Sequence, residues 1–293
     1  MNLSDTLVLL RGGGDLATGV AVRLFRAGFS VLIAELAQPL TVRRGAAFGE
    51  AVFSGEVTVE GITARLADDP MVGVGYSLMG EVPVVVDPGG LSIQQLKPPI
   101  LVDARMAKES LDTHMDQATL VIGLGPGFVA GRHCHAVIET NRGHDLGRVI
   151  WQGSAQGDTG EPEPIAGYSV ERVLRSPAEG VVNGRKEIGD RVEAGDLIAT
   201  VDESELRAPF AGVLRGLVHD GVHVSAGLKV GDLDPRGVRE YCFTVSDKAR
   251  AVGGGVLEAI LAYEPSRALL LNPPGVGQPP GDDLFDRIFA EPI

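Results

Sequence analysis

The sequence predicts an α/β protein in which a wound, mainly parallel β-sheet is followed by a smaller all-β unit. Over the first 150 residues, short apolar runs alternate with helical spacing, as in strands joined by crossover helices. Farther on, residues 176–181 (SPAEGV) return 32 positions later as residues 208–213 (APFAGV), and the glycines and valine of residues 189–195 return at the same offset. Glycine at turns with β-branched residues between predicts two copies of one β motif.

The first strand–helix–strand unit is the clearest part of the pattern. Residues 6–10 and 30–34 are apolar runs typical of buried strands, and Gly28 is suited to end the helix between them. That helix places apolar residues on one face at Leu16, Val20, Leu24 and Ala27.

The remaining elements of the first half follow the same rhythm. A weaker helix is predicted over residues 40–52, and residues 56–60 and 62–66 form a hairpin around Gly61. Further strands are predicted at residues 83–87, 99–103, 119–123, 135–139 and 148–151.

Changes in composition divide the chain into segments. Residues 152–167 are rich in Gly, Pro, Ser and acidic residues and are predicted to be a linker. The expected units are residues 1–160 as the wound-sheet domain, 168–237 as the β module, 238–263 as a helix that docks back on the first domain, and 264–293 as a Pro/Gly-rich disordered tail with a short helix at 284–289.

Composition excludes several classes of protein. The chain has 293 residues, 44% of them apolar, which suffices for two cores, and its charge of −13 argues against a nucleic-acid partner. The two cysteines, Cys134 and Cys242, suit a reducing cytosol and buried, inert thiols. The apolar run at residues 7–10 is too short for a signal peptide, and no segment approaches the about 18 apolar residues of a membrane span. We expect a cytoplasmic protein without a membrane partner, and the sequence leaves an oligomer open.

A glycine loop joins the first strand to its helix. Gly12, Gly14 and Ala17 satisfy the G-x-G-x-x-G/A pattern of Rossmann-like domains, in which the loop and the helix N-terminus hold a pyrophosphate. Glu35, at the end of the second strand, is suited to bind a ribose diol. Alternatively the loop is a turn that binds nothing. Asp15 is expected to cap the helix.

Other residues are predicted at the same edge of the sheet. Asp87 and Asp103 end parallel strands, with Asp87 more typical of a turn, and Arg11, Arg43, Arg44, Arg105 and Lys108 offset their charge. A second glycine loop, at residues 123–128 (GLGPGF), is either an anion-binding nest or a plain turn. The candidate cofactor-binding residues are therefore Gly12, Gly13, Gly14, Asp15, Ala17, Glu35, Gly123, Gly125 and Gly127.

No catalytic group stands out in the sequence. Residues 133–135 (HCH) supply two histidines on one face of a strand without a third ligand, so we predict no metal site. His144, in a polar turn, is the first histidine to mutate, although a turn residue is the favoured interpretation.

Two family resemblances accompany these patterns. The repeat resembles the barrel-sandwich fold of biotinyl and lipoyl domains, but the hairpin at residues 201–206 (VDESEL) has no lysine, so biotin or lipoate attachment is not expected. Over residues 5–263 the chain resembles YqeB-type accessory proteins of the selenium-dependent molybdenum hydroxylase system. The matching motifs are residues 11–19 (RGGGDLATG), 35–39 (ELAQP), 42–44 (VRR), 55–64 (GEVTVEGITA), 123–128 (GLGPGF) and 139–144 (ETNRGH).

This resemblance implies an accessory factor for enzymes related to xanthine dehydrogenase, with the molybdenum hydroxylase apo-enzyme as its partner. Combined with the glycine loop, it suggests binding of NAD(P) or of a molybdopterin dinucleotide, with the β module as a docking or lid element. Two alternatives remain. One is an NAD(P)-dependent oxidoreductase acting on a small substrate, with His144 or a nearby aspartate as its acid. The other is a protein-interaction scaffold in which the pyrophosphate position is filled.

Overall fold

The computed structural model describes residues 3–107, 112–157 and 164–271 as an α/β structure with one large mixed sheet and two separate antiparallel sheets. The elements of the large sheet and its flanks are β1 (Leu7–Arg11), α1 (Asp15–Arg26), β2 (Ser30–Glu35), α2 (Ala51–Ser54), β3 (Glu56–Val59), β4 (Ile62–Ala67), α3 (Pro70–Leu78), β5 (Val82–Val86), α4 (Leu91–Leu96), β6 (Ile100–Asp103), β7 (Leu120–Leu124), β8 (Ala136–Ile138) and β9 (Val149–Ile150).

The large sheet has nine strands in the order β3-β4-β5-β2-β1-β6-β7-β8-β9. All neighbours from β4 to β8 are parallel, and only the outer pairs β3–β4 and β8–β9 are antiparallel. The direction of winding reverses at β1, which lies between β2 and β6. Ligands of open α/β sheets bind at such a reversal, outside the carboxyl ends of the strands.

The two smaller sheets come from the repeated segment. Their strands are β10 (Val173–Arg175), β11 (Gly180–Gly184), β12 (Arg191–Val192), β13 (Leu197–Val201), β14 (Ser204–Arg207), β15 (Gly212–Leu217), β16 (His223–Val224) and β17 (Lys229–Asp234). The orders are β10-β17-β15-β12 and β14-β13-β11-β16. Because β12 pairs with β15 and β11 with β16, the two copies of the motif interlock around one apolar core.

The chain then returns to the first unit. Helix α5 (Asp247–Ala262), followed by α6 (Glu264–Leu271), packs against α1. Val252 and Ile260 of α5 share one apolar core with Val20 and Leu24 of α1. The β module (residues 168–237) is therefore flanked by two segments that complete the same core.

Most of the strands predicted from the sequence are confirmed to within a residue or two, but two other predictions need correction. The helix predicted over residues 40–52 is wrong, because 3-10 turns fill most of the segment and only α2 is α-helical. Two glycines of the segment are tightly packed on other parts of the chain: a Cβ on Gly49 would lie 3.0 Å from the carbonyl oxygen of Gly13, and one on Gly45 3.2 Å from that of Cys242. The disordered tail is wrong for its first eight residues, which form α6. Helices α3 and α4 were not predicted. Residues 158–163 of the expected linker and 272–293 of the tail, including the helix expected at 284–289, lie outside the described residues.

Candidate functional site

A crevice of about 700 Å³ opens at the carboxyl ends of β1, β2 and β6. This volume is typical of small-molecule sites. The sheet reversal brings together several of the predicted residues along its walls: Gly12, Gly14, Asp15, Ala17 and Glu35. The other candidates are not part of its lining: Gly13, Gly123, Gly125 and Gly127.

The glycine loop is closed on one side and open on the other. A Cβ on Gly13 would lie 2.9 Å from backbone atoms of Gly49, so that side of the loop is covered by the chain itself. Around Gly14, in contrast, a Cβ would meet nothing within 4 Å. Gly14 is the extended residue that precedes α1, and its amide has no hydrogen-bond partner among the described residues. The crevice therefore reaches the start of α1 on the Gly14 side of the loop and not on the Gly13 side.

Glu35 stabilises the glycine loop through a hydrogen bond with its backbone. One carboxylate oxygen accepts a 2.8 Å hydrogen bond from the amide of Gly13, and the other accepts one from the amide of Leu36. The side chain is 8% exposed, and burial raises the pKa of its carboxyl while these two amide bonds oppose the shift. Glu35 thus lines the crevice. Its carboxylate also accepts the hydrogen bond from the amide of Gly13, a donor that the glycine pattern predicts for a phosphate.

Asp15 does not cap α1, which corrects the expectation from the sequence. The residue at the cap is Gly14, without a side chain, and the Asp15 carboxylate instead pairs with Arg43 at 2.9 Å. Arg43 is buried and also donates to the backbone carbonyls of Tyr241 and Thr244. This pair joins the start of α1 to the segment that precedes α5.

Another ion network reaches the crevice through Arg11 and Arg105. The buried Arg11 donates two hydrogen bonds of 2.7 and 2.8 Å to Asp112, and Arg105 contacts both Asp112 and the fully buried Asp103. The hydrogen bonds from Arg11, and then those from Arg105, lower the pKa of Asp112 to about 2. These arginines are already neutralised by carboxylates. Of the remaining cations predicted at this edge, Arg44 pairs with Glu50 and does not line the crevice, and Lys108 lies outside the described residues.

Asp87 lines the crevice but has a structural role, as its turn sequence predicts. Its two carboxylate oxygens accept hydrogen bonds from the amides of Leu91 and Ser92 at the start of α4. Burial acts to raise the pKa of Asp87, yet the hydrogen bonds from the start of α4 outweigh it and lower that pKa.

The second glycine loop has the geometry of a closed turn. The ring of Phe128, fully buried, folds back over Gly123, where any Cβ would collide with it. The amide of Gly125 donates to the carbonyl of Ile138, and Gly127 is buried. Because the amide of Gly125 is used within the fold, this loop does not form an anion-binding nest facing the crevice.

Some residues of the crevice were missed from the sequence. The exposed side chains of Leu36, Leu40 and Met106 give it an apolar wall, and Lys229 reaches it from the β module. The apolar residues following β2 were a usable signal, because the first residues after a parallel strand face the ligand edge. The sequence carries no such signal for Lys229, because only the tertiary packing of the β module brings this residue to the crevice.

The histidines and cysteines stay apart from the crevice. Ring nitrogens of His133 and His135 accept hydrogen bonds from backbone amides, and His144 is exposed in its turn. Burial raises the pKa of the Cys134 thiol to about 12 and also raises that of Cys242. In the described part of the chain, no group of three or more metal-binding side chains is gathered.

The fold and the crevice define an α/β protein with a ligand-sized cleft at the edge of its parallel strands. The chain is 51% identical over 255 residues to the uncharacterized protein YqeB of Escherichia coli (strain K12), and the alignment covers 87% of this chain and 47% of that protein. The chain thus spans about half the length of this curated relative. The similarity supports the YqeB-type resemblance that the sequence motifs indicated. No model of a known protein family matches the chain.

Solved structures resemble the chain weakly. They include the product-bound ectoine utilization protein EutE (DoeB) from Ruegeria pomeroyi (13% identity, 77% of this chain and 56% of that one), an aspartoacylase family protein from Mesorhizobium loti (13% identity, 72% and 58%) and a succinylglutamate desuccinylase from Silicibacter sp. (12% identity, 78% and 84%). The TM-score is 0.22 in each case, too low to establish a common fold. Separately, none of the described helices has the length and apolar character that a membrane crossing requires.

Proposed function

We propose that the protein binds a dinucleotide, NAD(P) or a molybdopterin dinucleotide, in the crevice, as an accessory factor in the maturation of molybdenum hydroxylases of the xanthine dehydrogenase type. One observation carries the ligand assignment: the crevice is open at Gly14, at the N-terminal end of α1. Free backbone donors and the helix dipole favour an anion at such a position.

The strand order supports a Rossmann-like domain. Within the large sheet, β5-β2-β1-β6-β7-β8 follow the sequence order 3-2-1-4-5-6 of the doubly wound dinucleotide fold, and the glycine loop comes after its first strand. The interlocked sheets of the repeat support a barrel-sandwich module, in which the β13–β14 turn carries Asp202 and Glu203 where a carrier domain has its lysine. We therefore assign the module a docking or lid role.

The residues of the crevice fit a dinucleotide in part. Gly14 leaves room for a pyrophosphate, whereas Gly13 is covered by Gly49 and its amide is taken by Glu35. The carboxylate of Glu35 is suited to a ribose diol and would repel a 2′-phosphate, which favours NAD or a pterin dinucleotide over NADP. When bound, such a group would supply redox or pterin chemistry, while the protein supplies shape, orientation and exclusion of water.

The accessory role rests on the similarity to YqeB-type proteins, and the crevice supports it over the two alternatives. An oxidoreductase needs a general acid beside the cofactor. His144 is outside the crevice, and no histidine is found among the described residues that line it. The aspartates that do line it are engaged within the fold, Asp15 by Arg43 and Asp87 by the amides at the start of α4. A scaffold without a ligand would have the pyrophosphate position filled, but the space around Gly14 is empty.

Gly14→Asp tests the proposal. The backbone at Gly14 is extended with φ −65°, so an aspartate is tolerated there and would cap α1, yet its charge would enter the crevice. We expect the variant to be as stable as the wild type or slightly more so, while the affinity for NAD or a molybdopterin dinucleotide, measured by calorimetry, falls at least tenfold.

Gly14→Ala is the matched control, since it adds a methyl group without a charge in the same space. It should lose less affinity than Gly14→Asp. The proposal is rejected if the wild-type protein binds none of these dinucleotides, or if Gly14→Asp binds them unchanged. The accessory role is tested separately by target-enzyme activation in cells, which Gly14→Asp should reduce.

A further inference from the structure

The β module contributes one residue to the described wall of the crevice. Lys229 is the first residue of β17, and all other described lining residues belong to residues 11–107. The module is held there by close backbone contact: a Cβ on Gly216 of β15 would lie 2.7 Å from the carbonyl oxygen of Val42. Arg44 adds a 2.9 Å hydrogen bond from its Nε to the carbonyl of Leu217. Because β15 pairs with β17, these contacts fix the position of Lys229.

Lys229 differs from the other cations of the crevice. Arg11, Arg43 and Arg105 each have a carboxylate partner within 2.9 Å. Within the described residues, the Lys229 ammonium has neither a carboxylate within 4 Å nor a hydrogen bond. It is also exposed, so its charge is available to a ligand.

The neighbour of Lys229 in the sheet has the same charge. In the antiparallel pairing of β10 with β17, Arg175 lies directly opposite Lys229. Like charges in that arrangement destabilise a sheet. The Arg175 guanidinium donates to the carbonyl of Gly227. This uncharged acceptor does not neutralise Arg175 or Lys229. An anion bound at Lys229 would relieve this repulsion.

We infer that Lys229 binds a phosphate group of the ligand in the crevice, so that the β module completes an anion site between the two units. The inference deepens the proposed function and rests on it for the identity of the ligand, but the anion site can be tested without a dinucleotide. A phosphate at Lys229 would tie β17 to the loop and helix of the first unit.

Inorganic pyrophosphate is the probe, titrated at low ionic strength into wild type, Lys229→Ala, Lys229→Arg and Arg185→Ala. Arg185 is the matched control, because it is an exposed module cation with no partner among the described residues and it lines a separate crevice of about 500 Å³. We expect Lys229→Ala to weaken pyrophosphate binding about tenfold, the range of a charged hydrogen bond. Lys229→Arg should keep most of the affinity and Arg185→Ala all of it.

The outcomes separate the two proposals. If pyrophosphate binds in a Lys229-dependent way but no dinucleotide binds, the anion site stands and the dinucleotide assignment falls. If dinucleotides bind wild type and Lys229→Ala equally, the inference about Lys229 is wrong and the crevice assignment stands. Absence of pyrophosphate binding to the wild type, or an equal loss in Arg185→Ala, also overturns the inference. Circular dichroism of each variant confirms its folding.

Discussion

Glu35 shows how far a single residue can be interpreted from the sequence. Its place at the end of β2 follows from the apolar run before it, and the crevice does lie there. The hydrogen bond from Gly13 to its carboxylate could not be predicted, because it depends on the rotamer chosen once Gly49 covers the other face of the loop. The same holds for Asp15, whose pairing with Arg43 depends on a contact between distant segments.

The thiols give a prediction at the residue scale. Thiolates, not thiols, react with alkylating agents, and burial raises the pKa of Cys134 to about 12 and also raises that of Cys242. Iodoacetamide at pH 8 should therefore leave both cysteines unmodified in the folded protein and modify both in urea. Mass spectrometry of the intact chain counts the adducts, and a native adduct on either cysteine would contradict the burial described here.

At the scale of elements, the contact of α1 with α5 explains a feature that misleads sequence analysis. The glycine triplet at residues 253–255 weakens the helical prediction, because glycine is a poor helix former. In the structure, however, a Cβ on Gly253 would lie 2.7 Å from the carbonyl oxygen of Gly19. Gly253 thus permits the close approach of α5 to α1, a requirement that exists only in the packed molecule. The parallel strands, by contrast, were predictable because their apolar runs are buried on both faces.

Two neighbouring glycine variants test this packing. Gly253→Ala should destabilise the protein by about 1–3 kcal/mol, because the methyl group forces the helices apart. Gly254→Ala is the control, since its Cβ would meet nothing within 4 Å, and it should stabilise α5 by roughly 0.5–1 kcal/mol. Urea unfolding measures both values. Equal changes in stability for the two substitutions would show that helix propensity, and not the close approach of α1 and α5, determines the effect of Gly253→Ala.

At the scale of the whole molecule, the crevice depends on how the two units are joined. The segment that contributes Val42 and Arg43 to the crevice wall also contacts β15 of the module. The sequence predicted two units from the change in periodicity, but it contained no information on their docking. That docking combines the close approach of Gly216 to the carbonyl of Val42, a hydrogen bond from the Arg44 side chain to the carbonyl of Leu217, and stacking of the Phe53 ring on His219. These contacts join distant segments, so the pattern within each segment does not reveal them.

Gly216→Ala tests this connection. The added methyl group would collide with Val42, so the module should shift and carry Lys229 away from the crevice. We expect a loss of stability of about 1–3 kcal/mol. The affinity for pyrophosphate should also weaken, although Gly216 does not line the site. Gly254→Ala serves again as the control. Unchanged pyrophosphate affinity in a folded Gly216→Ala protein would mean that the crevice works independently of the module's position.

The late arrival of α5 has a consequence for synthesis on the ribosome. The apolar face of α1 is made early, yet the helix that covers it begins at Asp247. At about 5–20 residues per second, roughly 10 to 45 seconds separate the two. During that interval the apolar face of α1 is not covered by α5. A nascent chain stalled before α5 is therefore expected to bind chaperones, and the chaperones should dissociate when α5 and α6 emerge from the exit tunnel.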